Sequence, residues 1–249
     1  MKVFFANQEF LVGKMVEVVA FLFRELHDKK SNSKVVLPCS LYDLAMIDRG
    51  QKQAFFYQNV DYFVNDSMWL TFWFRLKHGG KIDRLYGPDL MKSFLNKSSQ
   101  QPNLKHFFLA ADQRSMLDLQ DFLHKNYPDL SAHFTFLPRN ISLKQQQIFL
   151  KQVLTISSQV IWLGIGSPKQ VELATWLKDN SKGRLIFCVG AAFDFLGGQK
   201  KQAPLWLQKT GLEWLFRLLS EPKRLWRRYL LEVPKWLGKM FWQKVIRQK

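Results

Sequence analysis

The sequence has few cysteines, few acidic residues and no long apolar run, and each shortage narrows the possible functions. Its two cysteines, Cys39 and Cys188, are too few and too far apart for a disulfide framework or a cysteine metal site, which favours a reducing compartment. No stretch approaches the roughly 18 apolar residues of a transmembrane helix, and no signal peptide is visible. If the protein meets a membrane, we expect it to lie on the surface.

Sequence motifs of several common enzyme classes are also missing. The chain contains neither HExxH nor GxSxG, and no two aspartates stand two residues apart, so a DxD metal–nucleotide motif is absent. The five histidines are scattered along the chain. We therefore predict no metal or other cofactor.

The charge is strongly positive and unevenly distributed. Lysine and arginine number 37 against 20 acidic residues, which gives a net charge of +17. A field of this sign attracts nucleic acid, anionic lipid headgroups or phosphorylated substrates. Residues 200–249 contain thirteen of the basic residues, five of the nine tryptophans and only three acids. We therefore expect the C-terminal end of the chain to contact the anionic partner.

Short apolar strands alternate with helices along the first 190 residues. Helices are expected at 8–27, 41–47, 68–77, from 88 onward, and at 114–126, 145–157 and 170–179. Strands are expected at 34–37, within 53–64, and at 105–110, 133–136, 159–163 and 184–189. The alternation predicts an α/β domain, Rossmann-like, with a mainly parallel sheet flanked by helices. Ligands of such sheets bind beyond the carboxyl ends of the strands.

Beyond Pro204 the pattern is helical only. Apolar residues such as Trp226 and Tyr229 recur at helical spacing with Arg224, Arg227 and Arg228 beside them. Such a stripe is typical of an amphipathic helix at a membrane interface. We expect residues 1–200 to form the α/β domain and residues 201–249 a basic, membrane-binding helical appendage. Pro234 should break or kink its helix.

Two glycine-containing turns follow predicted strands. The first, GIGSPKQ at 164–170, offers free N–H groups at a helix start that suit a phosphate, or it simply connects two elements. The second, GAAFDFLGG at 190–198, places Asp194 between two phenylalanines. That carboxylate can accept sugar or ribose hydroxyls, or it can be a helix cap or a satisfied buried acid.

Asp66 and Arg84 are the remaining candidates, each with a structural alternative. Asp66 follows a predicted strand and can act as a general base, although helix capping is the simpler interpretation. Arg84 can grip a diphosphate, or it can pair with the neighbouring Asp83 or Asp89.

Six sequence segments occur in an order typical of one family. They are SPKQVE at 167–172, GAAFDFLGG at 190–198, APLW at 203–206, GLEWLFRL at 211–218, EPKRL at 221–225 and RRYL at 227–230. Upstream, NDS at 65–67 and DRLYGPDL at 83–90 are similar to two further family motifs. The chain thus resembles the WecG/TagA/CpsF family, glycosyltransferase family 26, over nearly its whole length.

The resemblance implies a specific activity. Such enzymes move a sugar, often N-acetylmannosamine or its uronic acid, from a UDP donor to a polyprenyl-diphosphate-linked sugar, with inversion, for surface polysaccharides. It implies catalytic roles for Asp66 and Arg84. Nucleotide-sugar contacts are expected at Gly164, Gly166, Lys169, Gln170, Gly190 and Asp194, and acceptor or diphosphate contacts at Arg217, Arg224, Arg227 and Arg228. The expected location is cytoplasmic, peripheral on the inner face of the cell membrane, with an anionic membrane surface as partner.

Two other functions stay open. The family's T-x-N after the first strand is replaced here by Leu37-Pro38-Cys39, which suggests a catalytically inactive relative that serves as a membrane-bound scaffold. Nucleic-acid binding would explain the charge but not the GAAFDFLGG segment at 190–198 or the GLEW segment at 211–214, and we predict no nucleic-acid partner. A homo-oligomer, with the tail covering a neighbouring subunit's site, is a further possibility.

Overall fold

The computed structural model describes residues 1–27, 32–50, 54–137 and 142–247. The strands are β1 (Lys2–Phe5), β2 (Gln8–Leu11), β3 (Lys34–Cys39), β4 (Tyr62–Asn65), β5 (His106–Ala110), β6 (Ala132–Phe136), β7 (Val160–Gly164) and β8 (Leu185–Cys188). The first nine helices are α1 (Met15–His27), α2 (Leu41–Asp48), α3 (Ala54–Tyr57), α4 (Met68–His78), α5 (Gly87–Ser98), α6 (Gln113–Asn126), α7 (Leu143–Thr155), α8 (Lys169–Asp179) and α9 (Ala192–Leu196). They are followed by α10 (Leu205–Thr210), α11 (Glu213–Ser220), α12 (Pro222–Trp226), a π-helical segment (Arg227–Glu232) and α13 (Val233–Arg247).

The eight strands form one sheet in the order β1-β2-β4-β3-β8-β7-β5-β6. Only β1 runs antiparallel to its neighbour, and the other recorded pairings are parallel. The chain leaves β3 towards β4 on one side and leaves β5 towards β6 on the other, with β8 and β7 between them. The carboxyl ends of β8 and β7 therefore lie at a topological switch point, where open α/β sheets bind ligands. The predicted mainly parallel α/β fold is confirmed.

The strands β4, β5, β7 and β8 are buried along their whole length, which is why they are largely apolar runs. On one face, strand side chains pack with α2, α3, α4, α7, α8 and α13. On the other face they pack with α1, α5, α6 and α9. Trp162 anchors the second face, stacking on Phe187 at 4.2 Å and on Phe108 at 6.2 Å between ring centroids. The carboxyl edge is thus held rigidly from both sides.

The N-terminal segment differs from the prediction. A helix over 8–27 is wrong at its start, because residues 2–11 form the β1–β2 hairpin and α1 begins only at Met15. Ala6 and Asn7 have φ of 49° and 60°, the left-handed conformation of a two-residue hairpin turn. Phe10 then pairs in register with Phe63 of β4. Pairing with a distant strand therefore overrides the local helical spacing.

Two further boundaries differ. Strand β3 does not end before Pro38 but includes it, paired with Val64 of β4. Pairing of β3 with β8 is recorded only as far as Val36, so the missing N–H of Pro38 falls beyond that ladder. In the segment 53–64, whose residue 53 lies outside the described residues, α3 precedes the strand.

The C-terminal helices pack against the sheet domain. Trp236 is buried in the core beside Phe5, at 6.5 Å between ring centroids, and Lys239 bonds Asp48 of α2 at 2.7 Å. Pro234 does not break the helix. It follows the π-helical segment directly, where the α-helical hydrogen-bond pattern is already interrupted. Over the described ranges, no helix is both long and apolar enough to span a bilayer.

Gly164 is required by packing at the end of β7. A Cβ added there would lie 2.3 Å from the ring of Phe193, which is fully buried. The Gly164→Ala variant should therefore lose about 1–3 kcal/mol of unfolding free energy, measured by urea denaturation. Gly238 of α13 is the matched control, because a Cβ there meets no atom within 4 Å. Gly238→Ala should be neutral or stabilising by up to about 1 kcal/mol. Equal effects of the two variants would contradict the packing role.

Candidate active site

Asp66 lies at the carboxyl end of β4, next to the end of β3. Its backbone N–H donates to the carbonyl of Cys39 at 3.3 Å. Ser67, not Asp66, is the N-cap residue of α4, so the capping interpretation does not hold for that helix. Instead Asp66 Oδ1 accepts the backbone N–H of Gly87, the first residue of α5, at 3.0 Å. The helix start favours the carboxylate form, whereas burial raises the pKa of Asp66 above its ordinary value.

Arg84 does not pair with either neighbouring aspartate. Its Nη1 donates to Glu213 of α11 at 2.6 Å, and its Nε donates to the backbone carbonyl of Asp66. Its guanidinium also lies 4.1 Å from the ring centroid of Tyr86. Asp83 instead accepts the backbone N–H of Met15 at 2.9 Å. Arg84 thus joins Asp66 of the α/β domain to a carboxylate of the C-terminal helices.

A cavity of about 450 Å³ opens beside these groups. Its polar lining, from the sheet domain and the C-terminal helices, consists of Ser40, Asp66, Ser67, Arg84, Glu213, Arg217 and Arg228. Aromatic side chains complete the wall, namely Tyr42, Trp69, Trp214 and Tyr229. Three guanidinium groups face two carboxylates, so the lining carries an excess of positive charge suited to a phosphorylated ligand.

Arg217 and Arg228 have hydrogen-bonding capacity to spare. Arg228 donates to Ser40 Oγ at 2.8 Å and lies over the ring of Tyr42, while Arg217 lies over the ring of Phe195. The Nε of each is buried and has no hydrogen-bond partner in the described ranges. Buried donors without partners are costly, so each of these guanidinium groups has an unmet hydrogen-bonding requirement in this structure.

Arg224 and Arg227 are not brought to this cavity. Arg224 is exposed and pairs with Glu221 at 2.5 Å. Arg227 is exposed as well, and neither lines the cavity. Of the four arginines predicted to contact the acceptor, the structure therefore places two at the site.

The two glycine-containing turns meet at the switch point. Gln170 Oε1 accepts the N–H of Gly166 at 3.1 Å, while its Nε2 donates to Ser167 Oγ and to the carbonyl of Cys188, each at 3.2 Å. Gly190 has a φ of 53° and lies beside Gly166 and Gln170. A Cβ added to Gly190 would lie 3.6 Å from the Cα of Gly166. Gln170 therefore holds the end of β7 against the end of β8.

The other predicted nucleotide-sugar residues have varied surroundings. Gly164 lies against Phe193, as described above, which leaves no space for a side chain there. Lys169 is exposed at the first position of α8. Asp194 accepts from Ser115 Oγ at 2.9 Å and pairs with Lys200 at 2.8 Å, so it is a satisfied carboxylate in this structure.

A hydrogen-bonded series of side chains extends from the cavity. Ser40 Oγ, which Arg228 contacts, donates to Asp43 at 2.6 Å. The Tyr57 hydroxyl donates to the other oxygen of Asp43 at 3.1 Å. Asp43 therefore joins Ser40 of the cavity lining to Tyr57 of α3.

Sequence reasoning missed several residues of this region. Glu213 was recognised only as part of a motif, although it is one of just three acids in residues 200–249. No sequence pattern distinguishes Ser40, Tyr57 or Tyr86 as site residues, because their positions near the site depend on the folded structure. A second cavity, about 720 Å³, lies by Asp112 and Phe136 and is lined by none of the predicted site residues. Over the described ranges, no three His, Cys, Asp or Glu side chains come together as a possible metal site.

Comparison with known protein families agrees with the motifs. The model of the glycosyl transferase WecG/TagA/CpsF family matches residues 4–249, essentially the whole chain. That range includes Asp66 and Arg84 as well as the C-terminal helices that supply Glu213 and Arg217. The chain belongs to the WecG/TagA/CpsF family of glycosyltransferases.

Proposed function

We propose that this glycosyltransferase moves a sugar of the N-acetylmannosamine type from a UDP donor to a polyprenyl-diphosphate-linked sugar in surface polysaccharide synthesis. The observation that carries the proposal is the shared cavity of Asp66 with Arg84, Arg217 and Arg228. It combines a carboxylate that can take a proton with three permanent cations that can bind a diphosphate.

The reaction is a direct displacement. The acceptor hydroxyl oxygen attacks the anomeric carbon, the bond from that carbon to the UDP oxygen breaks, and UDP leaves with the bonding electrons. Asp66 takes the hydroxyl proton, and attack from the side opposite UDP inverts the anomeric centre. Because burial raises its pKa, Asp66 is a stronger base than an exposed aspartate would be.

The two ligands have distinct places in this proposal. The arginine-lined cavity takes the diphosphate of the acceptor, since it is framed by the C-terminal helices. The switch-point turns of Gly166, Gln170 and Gly190 take the donor nucleotide. Asp194 can contribute only by exchanging Ser115 or Lys200 for a donor hydroxyl.

A lipid-linked acceptor also accounts for the charge distribution. We propose a cytoplasmic protein that lies peripherally on the inner face of the cell membrane. Each basic residue near an anionic surface contributes roughly 1 kcal/mol of attraction, and tryptophan favours the headgroup region. The C-terminal helices are rich in both.

One observation favours the scaffold alternative. Cys39, where the family has a polar residue, is fully buried, and burial raises the pKa of its thiol well above its ordinary value. It is therefore a neutral, inert group beneath the cavity. At the end of β3, the hydroxyl group that lines the cavity belongs to Ser40.

Asp66→Asn tests the base. UDP release from a panel of UDP-sugars should depend on a short-chain prenyl-diphosphate-linked sugar, and the variant should lose about 10²–10⁴ of kcat. Asp121→Asn, on the exposed face of α6, is the matched control and should retain full activity. Near wild-type turnover of Asp66→Asn would remove Asp66 from the mechanism. UDP binding without release by the wild type would favour the scaffold.

Glu213→Gln tests the charge balance around the base. The negative charge of Glu213 raises the pKa of Asp66, while Arg84 lowers it. Removing that charge should lower the pKa, so activity persists to lower pH and the acid limb of the kcat/KM profile moves to lower pH. Glu221→Gln, a C-terminal acid outside the cavity, should leave the limb in place. An acid limb that moves to higher pH in Glu213→Gln would contradict this electrostatic assignment.

A further inference from the structure

Helix α4 has an exposed apolar side that none of the residues in the described ranges covers. Leu70, Thr71 and Phe74 are buried against the sheet. Trp69, Phe72 and Leu76 are 52%, 38% and 89% exposed. Their spacing of three and four residues puts them on one face of the helix. We call these three residues the α4 stripe.

The α4 stripe adjoins the C-terminal helices. Trp69 Nε1 donates to the carbonyl of Gly211, in the turn between α10 and α11, at 3.1 Å. On the two helices beside that turn, further apolar side chains are 63–74% exposed, namely Leu205, Trp206 and Leu219. Solvent-exposed apolar residues are common singly, but several on adjoining helices mark an interaction surface.

Charge around the α4 stripe favours an anionic partner. Residues 68–78 contain no acid, and the exposed Arg75 and Lys77 lie on the same helix. Residues 205–226 contain two acids, Glu213 and Glu221, and both are in ion pairs with arginines. The uncompensated charge at this surface is therefore positive.

Among anionic partners, a lipid bilayer fits best. A second copy of a +17 chain would bring like charges together at this basic face. Nucleic acid would offer phosphates and bases but no apolar environment for a side chain as exposed as Leu76. Aliphatic and tryptophan side chains flanked by lysine and arginine are the composition of interfacial membrane binding.

The α4 stripe also lies at the cavity. Met68 and Trp69 of α4 line it on one side, and Trp214 and Leu230 line it on another. A membrane that contacts the α4 stripe would therefore lie close to the arginine-lined cavity. The diphosphate of a lipid-linked ligand in that membrane would then be within reach of the cavity. The α/β domain would take part in docking, in addition to the C-terminal segment that sequence patterns single out.

We propose that the α4 stripe inserts into an anionic membrane surface and orients the arginine-lined cavity towards the lipid headgroups. The biological purpose of this docking rests on the proposed function, but the binding itself does not.

Vesicle sedimentation tests the proposal with the full chain. The double variant Phe72→Ser, Leu76→Ser should bind vesicles containing about 30% phosphatidylglycerol about tenfold more weakly than the wild type. The control is Val16→Ser, Phe55→Ser, which removes two residues of similar exposure from α1 and α3 and should bind like the wild type. Thermal unfolding of each variant confirms that the fold is kept.

The outcomes separate this proposal from the proposed function. Unchanged vesicle binding by the α4 double variant overturns the membrane role of the α4 stripe. The membrane role is also overturned if the α4 double variant loses self-association in solution, measured by sedimentation equilibrium, while its vesicle binding is unchanged. Transfer to a water-soluble short-chain acceptor should be equal in wild type and double variant. Weakened vesicle binding supports membrane docking even if the wild type shows no transfer, a result that would count against the proposed function alone.

Discussion

The buried ion pair between Arg84 and Glu213 is the interaction on which the site depends. Its side chains are only 15% and 8% exposed, and its atoms are 2.6 Å apart. Buried charges are unfavourable unless each is compensated, so neither residue can be moved without leaving the other uncompensated. Arg84 belongs to the α/β domain and Glu213 to α11. The pair therefore fixes the C-terminal helices relative to Asp66.

The consequences extend to the other charged groups of the cavity. With α11 held in place, Arg217 is placed beside Phe195, and the following helices bring Arg228 to Ser40 and Tyr42. Asp66 is then subject to the opposing fields of Arg84 and Glu213 on top of the effect of burial on its pKa. The C-terminal helices are thus part of the candidate active site of their own chain, whatever else they contact.

Two neighbouring polar regions lie at the carboxyl edge of the sheet. Asp66 and part of the lining of the arginine-lined cavity lie at the ends of β4 and β3, while the turns held by Gln170 lie at the ends of β7 and β8. This arrangement follows from the strand order, which brings β3 next to β8 although about 150 residues separate them in the chain.

The sequence by itself determined the fold class, the family and most of the elements, because those depend on local periodicity and on a long run of ordered motifs. It also predicted site roles for Asp66, Arg84, Arg217 and Arg228 from their motifs, and the structure places all four in the lining of one cavity. Tertiary structure decided the hairpin at the N terminus, where pairing of Phe10 with Phe63 prevails over helical spacing. It also decided the partner of Arg84. Folding brings Glu213, which is 129 residues away in the chain, to Arg84, and Arg84 pairs with neither Asp83 nor Asp89. Only the packed structure could show which arginines reach the cavity and which face of α4 stays uncovered, because both depend on contacts between residues far apart in the chain.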